Sequence, residues 1–254
     1  MSVFKELVKG AHMCGIDTKK IANYKFLKRF HRDRKEWLSQ GGSIDKQRMI
    51  LEDFADNAGV AKGHYFHQDL LVAKYIFEAK PERHIDVGSR VDGFVAHVAS
   101  FREIEVLDVQ PLPPVGHSNI KFRQADLTQE TDGNITDSLS CLHAIEHFGL
   151  GRYGDPVDVD GHRKGIANLV KMLKPGGTLY ISFPIAERSQ VHFNAHRVFS
   201  PAEILSYAEI SGELHLQSFD YVNDKGELVL NQLVHDSYSG LRFGCGIYKF
   251  KKNG

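Results

Sequence analysis

The chain is short of several things, and each shortage removes a class of explanation. Its three cysteines, Cys14, Cys141 and Cys245, are isolated and odd in number, so neither a disulfide framework nor a C-x-x-C metal site is indicated. Excess charge of either sign is missing. The 32 basic residues balance 32 acidic ones, so no overall field draws the protein to nucleic acid or to an anionic bilayer. No apolar run approaches the roughly 18 residues a membrane-spanning helix needs. The opening stretch "MSVFKELVKGAHMCGID" lacks the continuous apolar core of a secretion signal. Internal repeats and low-complexity segments are absent too. Together these point to a cytoplasmic protein with no membrane partner; they are silent on oligomeric state.

What is present divides in two. Residues 1–80 contain almost no strand-like alternation: "DTKKIANYKFLKRFHRDRKEWL" and "FHQDLLVAKYIFEAK" read as helices, the second stopped by Pro81. This predicts an N-terminal helical region, a cap or substrate-binding part, broken at Gly41-Gly42. Over residues 81–254 short apolar strands alternate with helices. "HIDVG", "IEVLDV", "IKFRQ", "SLSCL" and "TLYISFP" are strands, and "GHRKGIANLVKMLK" is a helix with Ile166, Leu169, Val170 and Leu173 on one face. The pattern predicts an α/β domain built on a doubly wound, mostly parallel sheet. Two further strands, "ELHLQSFDYV" and "GCGIYKF", close the chain without an intervening helix.

Ligands of such sheets bind beyond the carboxyl ends of the strands, and three of those ends carry an acid. "HIDVGSRVDG" supplies Asp86 and Gly88, "EVLDVQP" supplies Asp108, and "FRQADLT" supplies Asp126 and Leu127. A carboxylate after the second strand can accept both hydroxyls of a ribose, and Asp126 can accept from an adenine amino group. A G-x-G-x-x-G loop is absent, which weakens a dinucleotide reading.

These acids, with the later "LKPGGTLYISFP", resemble class I S-adenosylmethionine-dependent methyltransferases over roughly residues 84–251. The resemblance implies a seven-stranded Rossmann-like sheet and S-adenosylmethionine as cofactor. It implies Asp86, Gly88, Ser89, Arg90, Asp108, Val109, Asp126, Leu127 and His143 as cofactor-binding residues. Arg90 stands where that family usually has the middle glycine of its first loop, which leaves the loop's path open.

"CLHAIEHFGLGRYGD" places His143, Glu146 and His147 at H-x-x-E-H spacing. A zinc peptidase with these letters carries them on a long helix, whereas here they directly follow a strand. "HAIEH" instead resembles the metal segment of small-RNA 2′-O-methyltransferases and ubiquinone-pathway O-methyltransferases. That implies a divalent ion on His143, Glu146, His147 and His196, and so much imidazole favours Fe, Mn, Co or Zn over Mg²⁺. Two versions stay open. In one the ion holds the acceptor beside His143 and His147; in the other no metal is used and His147 is a plain general base.

For the acceptor, Tyr65, Gln68, Arg152, Tyr153 and Asp155 are candidate contacts, since the loop at 148–162 is rich in groups that hydrogen-bond polyols. The basic run "KFLKRFHRDRK" would suit a diphosphate. RNA is disfavoured by the neutral charge. "HYFHQDLLVA", "HAIEHFGLGRYGDPVDVDG" and "FNAHRVFSP" resemble a family of methyltransferase-like proteins associated with surface-polysaccharide assembly. This implies an O-methyltransferase acting on a sugar or nucleotide sugar. A cofactor-binding regulatory module is the alternative from a different class.

Overall fold

The computed structural model describes Met13, Gly15 and residues 18–254. Cys14 and most of the stretch read above for a leader lie outside the described residues. Contacts divide the chain into two units, Met1–Val60 and Ala61–Gly254.

In the first unit, α1 (Thr18–Asn23) runs through a 3-10 turn into α2 (Leu27–Ser39). The helix stops where sequence places the break. Gly41 takes φ of +88°, and the Trp37 indole N–H closes the turn on the Ser43 carbonyl at 3.0 Å. The ring lies so close to Gly42 that a Cβ there would stand 2.3 Å from it. Part of the basic run is engaged inside this unit. Arg29 packs over the Phe54 ring at 4.3 Å and pairs with Asp33, and Arg34 donates to Gln47.

The second unit is a single mixed sheet of eight strands with helices on both faces. Its strands are β1 (His84–Val87), β2 (Ile104–Asp108), β3 (Ile120–Gln124), β4 (Thr136–Leu142), β5 (Leu173–Ile185), β8 (Leu214–Val222), β9 (Leu228–Val229) and β10 (Gly244–Lys252). Between them a small separate ribbon pairs β6 (Gln190–His192) with β7 (His196–Val198). The order across the main sheet is β3-β2-β1-β4-β5-β10-β8-β9. The first five strands in that order are parallel to one another, and β10 lies antiparallel between β5 and β8. Seven of these are the expected strands. The eighth, β9, is a two-residue edge pairing with β8, too short to leave a periodic signal.

Parallel strands covered on both faces must be apolar on both. β1 is buried at every position. One face packs on α5 (Gly161–Met172) through Ile166, Leu169 and Val170. The other packs on α3 (His64–Ala79) through Val72, Ala73 and Ile76, beside Phe94, Val95 and Val98 of the short π-turn and helix α4 (Ala96–Ala99) that follow β1. Each of the larger of these side chains, Val, Leu, Ile or Phe, contributes roughly 1.5–3 kcal/mol by leaving water. Helix α3, grouped by sequence with residues 1–80, therefore belongs by its contacts to the sheet-bearing unit. Its apolar stripe has that sheet to cover.

Sequence carries α5 to Lys174, with Pro175-Gly176-Gly177 as its stop. In the fold the helix stops at Met172 and Leu173 already starts β5. The L-K-P-G-G turn is a bulge in that strand: Thr136 pairs with Leu173, and the next partners are Ser138 and Thr178. No helix among the described residues is long and apolar enough to cross a membrane. The switch in strand order falls between β1 and β4, so the loops after β1, β2, β3 and β4 meet at one end of the sheet.

Candidate cofactor and acceptor site

At that end lies a cavity of about 510 Å³, within the usual range for a cofactor site. Of the residues expected to bind cofactor, Gly88, Ser89, Arg90, Asp108, Val109, Asp126, Leu127 and His143 all line it.

Asp86 does not. It is fully buried, and its carboxylate is taken up by the protein. Ser89 donates to it from both Oγ (2.6 Å) and N (3.0 Å), and Ser140 Oγ donates as well. Ser89 Oγ in turn accepts the Leu142 N–H at 3.1 Å. Asp86 thus ties the loop after β1 to the end of β4, a positioning role in place of the expected direct contact. The network continues beneath it. Because Ser140 gives its proton to Asp86, it accepts from His84 Nε2 at 3.1 Å, which leaves His84 Nδ1 to accept the Ser138 hydroxyl at 2.8 Å.

Burial pushes the Asp86 carboxyl up to about 6 from its usual 3.8, although Ser140 and Ser89 pull the other way. Burial also pushes His84 down to about 3, so the imidazole stays neutral. A raised carboxyl pKa favours the fold below the unfolded value of 3.8, and that benefit is lost as pH rises through 6. The stability of the native protein relative to Asp86→Asn should therefore fall by roughly 2–3 kcal/mol between pH 4 and pH 7. Urea unfolding of both proteins across that range checks this, and a pH-independent difference would count against it.

Two features shape the loop itself. Gly88 takes φ of +69°, and a Cβ there would stand 2.8 Å from Ala144 Cβ, so no other residue fits without displacing the floor of the cavity. Arg90, in place of the usual glycine, has ordinary extended dihedrals of −62° and 124°. This path requires no glycine. The guanidinium is held by Asp92 at 3.0 and 3.1 Å and lies over the Tyr65 ring at 4.7 Å.

At the next strand end Asp108 accepts the Gln110 N–H at 2.8 Å through Oδ1, and burial raises its carboxyl above the ordinary range. Asp126 Oδ1 accepts from Thr128 N and Oγ1 at 2.9 and 2.7 Å. The remaining walls are largely apolar, from Val106, Leu112, Phe122 and Ala144 among others.

The H-x-x-E-H stretch is not an α-helix. His143, the residue after β4, is in the left-handed region, φ +51°, and Ile145–His147 form a single 3-10 turn. Glu146 Oε1 lies between the two histidines, 2.8 Å from His143 Nδ1 and 3.7 Å from His147 Nε2, but their other contacts differ. His143 donates from Nδ1 to Glu146 Oε1 at 2.8 Å and stacks with His64, with ring centroids 5.4 Å apart. His147 donates from Nδ1 to the Ala195 carbonyl at 2.7 Å and meets the edge of Tyr153. His196 is half-buried and pairs with His192 at 3.2 Å. Its ring centroid is 6.4 Å from that of His147.

The expected quartet of His143, Glu146, His147 and His196 therefore does not converge on one point. The left-handed residue and the tight turn set the directions of the side chains after β4. Among the described residues, the three-ligand group with all its atoms within 4.8 Å of one another is His64, His143 and Cys245.

Burial lowers the pKa of His147. Burial acts the same way on His143, but the charges of Cys245 and Glu146 outweigh it and hold that imidazole well above its usual value. Both histidines line the cavity; His147 is held toward its neutral form, and His143 is paired with Glu146.

Four of the five expected acceptor contacts lie near this wall. Tyr153 and Asp155 line the cavity, Arg152 donates to the Ala195 carbonyl at 2.8 Å, and Tyr65 packs against His143. Asp155 is structural as well, accepting the Gly149 and Tyr153 N–H groups. Gln68 is the exception. It is buried, accepts from Ser182 Oγ at 2.6 Å and donates to Asp69 at 3.1 Å, so its amide is already engaged and it does not line the cavity. Sequence reasoning passed over His64 and Cys245. The only signal for His64 was its place beside Tyr65, and Cys245 carried none.

Several solved structures share this architecture. The N-methyltransferase NodS from Bradyrhizobium japonicum WM9, in complex with S-adenosyl-L-homocysteine, aligns over 82% of this chain and 94% of its own, with a TM-score of 0.52 and 15% identity. The chain has the Rossmann-like methyltransferase fold. The 1,6-didemethyltoxoflavin-N1-methyltransferase from Burkholderia thailandensis aligns over 92% of this chain and 88% of its own, with a TM-score of 0.50 and 14% identity. The cyclase SpnF aligns over 73% and 81%, with a TM-score of 0.52 and 14% identity. A family model described as "Caenorhabditis protein of unknown function, DUF268" matches residues 120–227. No curated protein matches the sequence.

Proposed function

We propose that the protein is an S-adenosylmethionine-dependent O-methyltransferase in which His147 is the general base. The observation that carries this reading is the state of His147. Its Nδ1–H is fixed on the Ala195 carbonyl, so the lone pair is on Nε2, and the ring borders the cavity. A positioned neutral imidazole beside a cofactor cavity suits removal of a proton from an acceptor hydroxyl.

S-adenosylmethionine fits the cavity by its donor set: Asp108 would hold the ribose hydroxyls, Asp126 the adenine amino group, and the backbone at Gly88–Ser89 would lie against the remainder. Bound there, the cofactor supplies an electrophilic methyl group. Everything else falls to the chain: Tyr153 and Arg152 orient the acceptor, His147 takes its proton, and Glu146 holds His143 in place. Alignment of the acceptor oxygen is the main task, since transfer is an in-line displacement.

A sugar or nucleotide-linked sugar is the acceptor we favour. Its support is the polar stretch of wall at Tyr153 and Asp155, with Arg152 beside it, together with the likeness of this chain's segments to proteins of surface-polysaccharide assembly. A cofactor-binding module without transferase chemistry is the second reading, supported by the cyclase that shares the fold.

Calorimetry with S-adenosylhomocysteine tests the cofactor. Binding is expected, and Asp108→Ala should weaken it by about 1–3 kcal/mol, the consequence of leaving ribose hydroxyls unpaired in a closed site. No binding at millimolar ligand rejects both readings. Mass detection of a methyl gain across a panel of nucleotide sugars then separates enzyme from module.

A further inference from the structure

We propose that His64, His143 and Cys245 form a binding site for a thiophilic divalent transition metal of the zinc class. The three come from separate parts of the chain, the start of α3, the residue after β4 and the start of β10. The fold nevertheless brings one ligand atom from each within 4.8 Å of the other two. The proposal stands on this geometry, independently of the methyl-transfer reading.

Two observations point to a ligand rather than to chance packing. First, His143 Nε2 is buried with no partner at hydrogen-bond geometry, its side chain is only 7% exposed, and the polar group beside it is the Cys245 thiol. Such a group is destabilising unless something satisfies it. Second, His143 is anchored through one nitrogen only: its Nδ1 is held by Glu146 at 2.8 Å, while the His64 ring stacks against His143 and Phe243. An outer carboxylate or carbonyl on one ring nitrogen, with the other left for the ion, is how metal-bound histidines are oriented. Glu146 is thus a positioning residue for this site.

The donor set selects the ion. One thiolate and two imidazoles suit Zn²⁺ or Co²⁺ and exclude Mg²⁺ and Ca²⁺. Zinc bonds of about 2.0–2.3 Å require ligand atoms about 3.3–3.7 Å apart, which rotation of the side chains reaches from the separations present. Three protein ligands leave a fourth tetrahedral position for water or an incoming ligand. The ion would take Cys245 as thiolate and His143 as neutral imidazole, so binding releases whatever protons those ligand atoms carry.

Titration of the full-length, chelator-treated protein with Co²⁺ tests this. We expect a one-to-one endpoint, intense visible bands of tetrahedral Co²⁺ and a near-ultraviolet thiolate-to-cobalt band, all displaced by Zn²⁺. Cys245→Ser should abolish the thiolate band and, like His64→Ala, weaken Zn²⁺ binding at least about 100-fold. Glu146→Gln should weaken it roughly ten- to a hundredfold. His196→Ala should leave the titration unchanged. Circular dichroism and melting of each metal-free variant identify any that fail to fold, and His64→Ala, at a half-buried site, supplies the result if Cys245→Ser does not.

Three outcomes overturn the proposal: no Co²⁺ bound by the folded native protein, a spectrum without the thiolate band, or binding that survives Cys245→Ser and disappears in His196→Ala. S-adenosylhomocysteine calorimetry reports on the cofactor cavity separately, so failure of one claim is distinguishable from failure of the other.

Discussion

His147→Ala should lower methyl transfer by about 10²–10⁴-fold while leaving S-adenosylhomocysteine affinity unchanged. The proposed cofactor contacts are made by Asp108, Asp126 and the loop after β1, and none of them depends on the imidazole. Single-turnover transfer and calorimetry on the same preparation check both halves. The pH profile adds a readout that simple misfolding would not reproduce. Burial, reinforced by the nearby Arg152 and His143 charges, lowers the His147 pKa below 6.5. The base is therefore still unprotonated at pH 6.5, and the acid limb of the native enzyme should fall below that value. Loss of that limb in His147→Ala is the expected signature. An unchanged rate in this variant would remove His147 from the mechanism.

Gly149→Ala should destabilise the protein by roughly 2–4 kcal/mol and raise the Michaelis constant for the acceptor. The reason is a crossing of two backbones. Gly149 has φ of +75°, and a Cβ there would stand 2.1 Å from the Asp158 carbonyl oxygen and 3.1 Å from Gly161 Cα. Gly161 answers it, with its own Cβ position 2.8 Å from Gly149. The Asp158 N–H donates to the Gly149 carbonyl at 2.9 Å, so the loop that carries Arg152, Tyr153 and Asp155 is tied at this point. No side-chain rotation relieves a clash with a carbonyl.

Gly154→Ala is the internal control. It has φ of +83° but nothing within 4 Å of a Cβ, so only the left-handed backbone penalty of about 1–2 kcal/mol applies. Denaturant unfolding of the two variants compares them directly, and equal losses would mean that the crossing is not what holds the loop.

The stretch around His143 shows where reading residues in order stops working. Its H-x-x-E-H spacing identifies a cluster of chemically capable groups, and the preceding strand correctly rejects a long peptidase helix. Spacing says nothing about the sign of φ at His143. That sign turns the His143 imidazole toward His64 and Cys245 while it, like His147, still borders the cavity. Gln68 and Asp86 illustrate the same limit from the other side. Each has a side chain suited to binding a ligand, yet hydrogen bonds to Ser182 and Asp69 engage one, and Ser89 and Ser140 the other. Asp69 and Ser89 are near neighbours in the chain, but Ser182 and Ser140 come from β5 and β4, and no local pattern reports those two.

By itself, then, the sequence determined the alternation of strands and helices, the seven principal strands and the acids at three strand ends. All of these are local properties: apolar periodicity, glycine and proline punctuation, and a polar residue at the point where an apolar run stops. Tertiary structure alone decided that α3 joins the sheet-bearing unit, that Asp86 supports the cavity from below rather than lining it, and that His64, His143 and Cys245 meet. Cys245 lies 102 positions after His143 in the chain, but β10 returns antiparallel alongside β5, the neighbour of β4. Strand pairing is a contact between segments far apart in sequence, and only the closed sheet brings their ends together.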